Sequence, residues 1–597
     1  MNKEQLQEMW HDAYGSLMQR RTAHGMWNGK LSSSAISTSV SVFALQRIDS
    51  EQYASYIANG VKWLHDTMKA DGSWGDSVES PSNMTATLLT YVSLYAVGQA
   101  PAQAREYLDQ QFGGHTEEAL INGVLRYYGR DLTFSVPILT MCALAGVISS
   151  WDKIPTFPFE LATLPQRLFR YLNMPVVSYA IPALIAIGIC QLKRKVGVLR
   201  PVRQLFIPKA MKVLQRMQPA DGGFLEAAPL TAFVSMCLAE GGFREHEATQ
   251  RCAQFLVDTV RSDGAWPIDT NLSGWVTSLA GKVFCGSDDE KAALAQLIKR
   301  NATTAVHPFT GAMAGGWGWS DLSGSVPDGD DTSAALVALH HLTNGTLSVE
   351  VENGLRWLMW LQNNDGGMPT FCKGWGKLPF DRSTPDITAH AMLAMGLWLP
   401  SLQGELRQAV EKSYERMLRW LESTVQEGGW TPLWFGDQDA DDEKAPVYGT
   451  ATVVDYLMQS NTAEGRTLAV QQVPFLLDCQ NEDGGWGGNR GVRSKVTYTS
   501  RVLAALAHFQ PHPQPLSDWK GKICEARERG WDYLFRRYQA GTLYENEPVG
   551  LYFSRLWYSE ELYNVTFLLH ALKCELLEQR EQLNMFELPS RDKSQRS

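Results

Sequence analysis

Several features that define large protein classes are scarce in this sequence. Positive charge is in deficit. There are 54 Lys and Arg against 64 Asp and Glu, a net charge of −10, which argues against nucleic acid as the main partner. The nine cysteines include no Cys-x-x-Cys pair. An odd, scattered set in a long chain reads as reduced core thiols and hence a cytosolic compartment. The opening MNKEQLQEMWHDAYG carries no apolar signal-peptide core. Long apolar runs are rare too. Met174 to Leu192 is uncharged and long enough to span a bilayer. Pro175 and Pro182 interrupt it, however, and Val136 to Ile148 is too short to be its partner, so a buried helix is expected. The stretch that follows mixes Lys193, Arg194, Lys195, Arg200, Arg203, Lys209 and Lys212 with Val, Leu, Phe and Ile. That pattern suits a surface lying on an anionic membrane, so residues 174–216 are expected to face one; a solvated basic loop is the alternative.

What is plentiful is tryptophan, 20 residues in a chain of 597. The length exceeds what one core organises and points to two domains. The tryptophans fall in repeats: an apolar helical stretch, Gln or an equivalent, then Asp-Gly and a ring. Instances end at Trp74, Phe224, Trp266, Trp430 and Trp486, with another at NNDGG (363–367) and a Gly-Gly-Trp at 315–317. Asp-Gly ends a helix and turns the chain, and the ring packs back on that helix. With a second helix after each block, the unit is a helical hairpin that must stack on its neighbours, in an open solenoid or a closed ring. Four second helices share a register, with Trp275, Asp330, Asp386 and Tyr448 each two positions before a Thr. In a closed ring those four positions would face one central cavity. Helix capping accounts for an Asp at such a position, but not for a Trp or a Tyr.

The strongest local signal is GGWGWSDLSGSVPDGDDTSAAL (315–336), where Asp328, Asp330 and Asp331 crowd the start of an apolar helix. Like charges this close cannot all ionise cheaply, so at least one should keep its proton near neutral pH. A neutral carboxylic acid facing a dry aromatic cavity is what protonation of an unactivated alkene requires. A metal cluster or an exposed acidic turn fits less well, because the motif runs straight into SAALVALHHL. DQDADDE (437–443) is the better candidate for a merely solvated charge run.

On PDGDDTS (327–333), the repeated Gln…Asp-Gly-Gly-Trp blocks, STPDITAH (383–390) and VYGTATVV (447–454), in that order, the chain resembles the squalene–hopene cyclase family of protonation-initiated (class II) terpene cyclases. The resemblance runs from residue 61 to the segment at 550–567. It implies an all-α fold of two α/α-barrel domains, one over 21–300 and one over 301–590 carrying the acid, with residues 1–20 packing on the latter. It makes Asp330 the proton donor, His390 its hydrogen-bond partner, Tyr448 a further partner in reprotonation, Asp328 and Asp331 modulators of the acid, and Asp386 a support for His390. Trp319, Trp275, Trp434 and Phe371 would stabilise carbocations, with Tyr179, Phe553, Trp557 and Tyr563 also lining the substrate. Phe371 stands where a Tyr is common, Tyr179 near where a Trp is expected, and the linking region around 193–209 is short. The implied substrate is a hydrophobic isoprenoid, squalene first, with a shorter or aromatic-capped prenyl chain as the alternative. The enzyme would use no metal or cofactor, would sit peripherally on a membrane from the cytoplasm, and could form a homodimer.

Other classes fit less well. A protein prenyltransferase needs zinc, and no Asp-x-Cys with a partnering His stands on these helices. A glycosidase would not want aliphatic inner helices. A non-catalytic isoprenoid carrier has no use for three clustered Asp residues. Ionisation-type terpene synthases need Asp-Asp-x-x-Asp, which is absent.

Overall fold

The computed structural model describes residues 2–129, 132–165, 180–308, 310–371, 373, 380–426, 428–460, 462–509, 519–550 and 555–578. It is all-α, and its inner helices close into two rings. The first ring contains α1 (Ala35–Asp49), α2 (Met84–Ala96), α3 (Leu132–Leu144), α4 (Ile181–Arg194) and α5 (Ala228–Leu238), with α5 packed back on α1. The second contains α6 (Ser273–Val283), α7 (Gly329–Leu342), α8 (Pro385–Trp398), α9 (Pro446–Gln459), α10 (Val496–Ala507) and α11 (Tyr563–Glu578), with α11 packed on α6. Most of these helices are buried nearly all round, as apolar sequence with no polar face demands. Their outer partners are amphipathic, such as Gly404–Thr424 against α8.

The repeat is a hydrogen-bonding device that joins an outer helix to an inner one. The indole Nε1 of Trp74, Trp266, Trp317 and Trp486 donates to the carbonyl of Leu64, Leu256, Ile298 and Leu476 at 2.6–2.7 Å, engaging a carbonyl near the end of the outer helix. The backbone N–H of the same residue donates to a Thr hydroxyl on an inner helix: Trp317 to Thr332, Trp430 to Thr450, Trp486 to Thr499, all at 2.9–3.0 Å. This is the physical origin of the shared Thr register. The turn Gly must adopt positive φ, +90° at Gly222, where a Cβ would also lie 2.5 Å from the Arg251 carbonyl. The preceding Gln ties the turn to the next outer helix; Gln362 Nε2 donates to the carbonyls of Gly366 and Ser413.

The rings hold separate cores. One spans residues 35–266 together with Val326, Phe371 and Phe380; the other takes in residues 6–31 and 275–576. The N-terminal helix Lys3–Gln19 lies on α11 and buries Leu6, Met9, Trp10, Ala13 and Leu17. The division therefore falls between 31 and 35 and again between 266 and 275, rather than at 300. Residues 273–300 go with the second ring because α6 is needed to close it, and the Trp27 N–H bonds Thr277 at 3.0 Å to stitch the N-terminal segment there.

Two further sequence expectations meet the structure here. Ile181–Leu192 is a buried helix, and no described helix is long and apolar enough to cross a membrane. The acidic run 437–443 is not simply solvated. Asp437 is fully buried in an ion pair with Lys495, itself buried, and accepts from Gly488 N at 2.9 Å.

Candidate active site

A cavity of about 290 Å³ opens between the rings, lined by residues of both and almost wholly apolar. On its wall, α7 begins with Asp328 as N-cap, whose Oδ1 accepts from the backbone of Asp330 and Asp331 at 2.9 Å each. The helix start thus aims Asp330 into the cavity. Its side chain keeps 27% of its surface accessible, on a residue that lines the cavity. Asp330 Oδ1 lies 2.6 Å from Nδ1 of the buried His390 on α8. Burial raises the carboxyl to about 6, against the opposing pull of Lys282 and then Arg501. Burial, with mutual repulsion inside the triad, also lifts Asp328 and Asp331.

Aromatic rings line the same cavity. Trp319, Phe371 and Trp434 run in series with centroids 6.0 and 5.9 Å apart, and Trp275 and Tyr563 also line the space. Tyr558, beside Tyr563 with hydroxyls 3.2 Å apart, lines it as well. Asp269 is a further carboxyl on the wall; burial raises it to about 8.

Other expectations need correction. Trp557 is buried away from the cavity, held by its backbone N–H to Asp76, while its neighbours Leu556 and Tyr558 face the space. Tyr448 shares the register of Asp330 but is set behind Phe435, which packs on it at 5.0 Å and lines the cavity in its place. The Tyr448 hydroxyl accepts from Arg501 at 3.2 Å. Asp386 is buried and bonded to Thr384 Oγ1 at 2.6 Å; His390 is instead held by Asp330 and by Lys282, whose Nζ lies 2.8 Å from Nε2. Tyr179 and Phe553 lie outside the described residues.

Lys282 on α6, Arg501 on α10 and Tyr456 on α9 were not singled out from the sequence. His390 stacks on Tyr456 with centroids 4.7 Å apart, Lys282 Nζ is 5.6 Å from the same ring, and Arg501 Nη1 donates to Tyr456 Oη at 3.4 Å. The available signal was a single cation in an otherwise apolar inner helix, SLAGKVF and TYTSRVLA, since a buried charge needs a partner.

This combination of a double helical ring and a carboxyl facing an aromatic cavity belongs to the terpene-cyclase type of architecture. Residues 304–575 match the model of the squalene-hopene cyclase C-terminal domain, and residues 11–117 that of its N-terminal domain. The chain belongs to the squalene-hopene cyclase family. It is 23% identical to enfumafungin synthase of Hormonema carpetanum over 83% of this chain and 42% of that one, so it spans about two fifths of that relative's length. It is 22% identical to a squalene hopane cyclase of Aspergillus fumigatus over 77% and 75% of the two chains. Among solved structures, ent-copalyl diphosphate synthase from Streptomyces platensis shares the fold, with a TM-score of 0.52 at 15% identity over 96% and 99% of the two chains.

Proposed function

We propose that the protein is a class II terpene cyclase in which Asp330 protonates a terminal alkene of a linear isoprenoid and starts a cationic cyclisation. The observation that carries this reading is one raised-pKa carboxyl on the wall of an apolar, ring-lined cavity, with one oxygen engaged by His390. The proton goes from Asp330 to the alkene carbon, which leaves the cation on the more substituted neighbour. The chain's next double bond attacks it, and the cascade ends by loss of a proton or capture of water. Trp319, Phe371, Trp434 and Trp275 face the path, and a desolvated ring stabilises a nearby cation by on the order of 2 kcal/mol. Dryness protects the intermediates from early capture. Asp328, whose carboxylate accepts from the Asp330 backbone, and Asp331 shape the helix start that carries the acid, and Tyr448 acts at one remove through Arg501.

Two finer points belong to the same reading. The substrate is a hydrophobic polyprene, squalene or a shorter prenyl chain. The protein docks peripherally on a membrane through the exposed segment 195–212.

The test is product analysis by mass spectrometry after incubation with linear polyprenes from farnesyl to squalene length. Asp330→Asn removes the transferable proton and keeps the shape, so turnover should vanish while the melting temperature stays near wild type. Cyclic product at the wild-type rate from Asp330→Asn would sink the proposal.

A further inference from the structure

Lys282 stands in an apolar helix, yet its ammonium is spent on a histidine that is already bonded to the catalytic acid. Burial holds His390 neutral, and the nearby cations Lys282 and Arg501 reinforce this. A neutral imidazole has one N–H, and its position decides what the other nitrogen can do. An ammonium offers only donors. At 2.8 Å from Lys282 Nζ, Nε2 must therefore accept, which leaves the N–H on Nδ1, 2.6 Å from Asp330 Oδ1. That N–H donates, so Oδ1 accepts. A carboxylic acid that accepts at Oδ1 carries its hydrogen on Oδ2.

We infer that Lys282 is a positioning residue that fixes the tautomer of His390, and through it places the acidic hydrogen of Asp330 on Oδ2, the oxygen that His390 does not engage. The inference rests on the cyclase reading and deepens it. Without the ammonium, His390 could take the opposite tautomer, with Nδ1 accepting. Asp330 would then donate into the imidazole, and its hydrogen would point away from the substrate. The plane of the ring is held, since it is stacked on Tyr456 and edged by Trp275, with centroids 4.7 and 6.3 Å away. The groups around Lys282 are His390 on α8, Asp330 on α7, Tyr456 and Asp455 on α9, Arg501 on α10, and His570 and Lys573 on α11, the last of which donates to the Lys282 carbonyl. Asp330 and Asp455 are the carboxyl groups among them, and Asp455 is already shared by His508 and His570 at 2.8 Å each. Burial, then Arg501, lower the ammonium to about 7, so it is most strongly a donor below that pH.

The first experiment needs no substrate: nitrogen NMR of the full chain labelled at histidine, with the His390 signals assigned from a His390→Gln variant. Wild type should show an unprotonated Nε2 and a protonated Nδ1, and Lys282→Met should move His390 toward the opposite tautomer. The second is kinetic, on the polyprene that wild type cyclises. Lys282→Met should lower the low-pH plateau of kcat at least tenfold, leave KM within about twofold, and shift the alkaline limb of the profile upward, because a cation that favours ionised Asp330 is gone. Lys282→Arg, which retains a cationic donor, should recover most of kcat and the original limb. A wild-type His390 protonated at Nε2, or a Lys282→Met low-pH plateau equal to that of wild type, overturns the inference. If Asp330→Asn is inactive in that same experiment, the cyclase reading survives; if Asp330→Asn is active, the cyclase reading falls.

Discussion

At the level of single residues, the protonation state of Asp330 sets when the site can work. Three effects compete. Burial raises the carboxyl, while the cations at 282 and 501 and the positive start of α7 favour its ionised form. The outcome is about 6. The active form is the protonated one, so turnover should be highest below about pH 6 and fall about tenfold per pH unit above it. Initial rates at saturating polyprene, measured in a series of buffers, check this; a rate that climbs through neutrality would assign the rate-limiting step to a base instead. The acid and its histidine were legible in the sequence because each sits in a short motif with its helix start beside it. Lys282 and Arg501 were not, because their partners come from helices far away in the chain, 108 residues separating Lys282 from His390. Sequence spacing carries no record of such a meeting.

The repeat is where sequence and structure agree most closely at the level of elements. Gln, Asp, Gly and Trp each have one bond or one backbone angle to satisfy, so the pattern is local and readable. Its consequence was less readable. The Thr register fixes how high a residue stands on an inner helix, but not whether the cavity reaches it. Trp275 and Asp330 open on the cavity, whereas Tyr448, at the same height, is screened by Phe435. The turn bond can be tested by itself. Trp486 is fully buried, and its indole donates to Leu476 O at 2.7 Å. Trp486→Phe keeps an aromatic ring there but strands a buried carbonyl, so it should cost on the order of 1–3 kcal/mol. Urea denaturation should show a lower midpoint with an unchanged slope. Trp420→Phe, at a half-buried outer-helix position, serves as the control and should change stability far less. Equal losses from the two would mean that packing, rather than the bond, holds the turn.

Across the molecule as a whole, one surface among the described residues is left unexplained by the fold. Between α4 and the helix Ile207–Met217 the chain presents Val198, 96% exposed, and Leu205, 78% exposed, beside Val196, Leu199 and Val202. Arg194 and Arg203 are paired with Glu240 and Glu160, whereas Arg200, Lys209 and Lys212 pair with no carboxylate among the described residues. The sequence marked this stretch through its mixture of basic and branched apolar residues, but only the structure separates the paired cations from the unpaired ones. Apolar side chains held in water by neighbours that cannot cover them gain about 25 cal/mol per Å² on entering lipid, and each unpaired cation adds about 1 kcal/mol at an anionic surface. Both contributions are needed, since either alone gives weak, reversible attachment. Flotation with vesicles of mixed phosphatidylcholine and phosphatidylserine should therefore carry the protein, and pure phosphatidylcholine vesicles should carry much less. Raising salt should lower the first toward the second without abolishing it, because the apolar part is not screened. The paired substitution Val198→Asp with Leu205→Asp should leave the protein unbound to either vesicle. If wild type fails to float with the anionic vesicles, or the doubly substituted protein floats equally well, membrane docking by this segment is wrong, and the cyclisation chemistry is left as it stands.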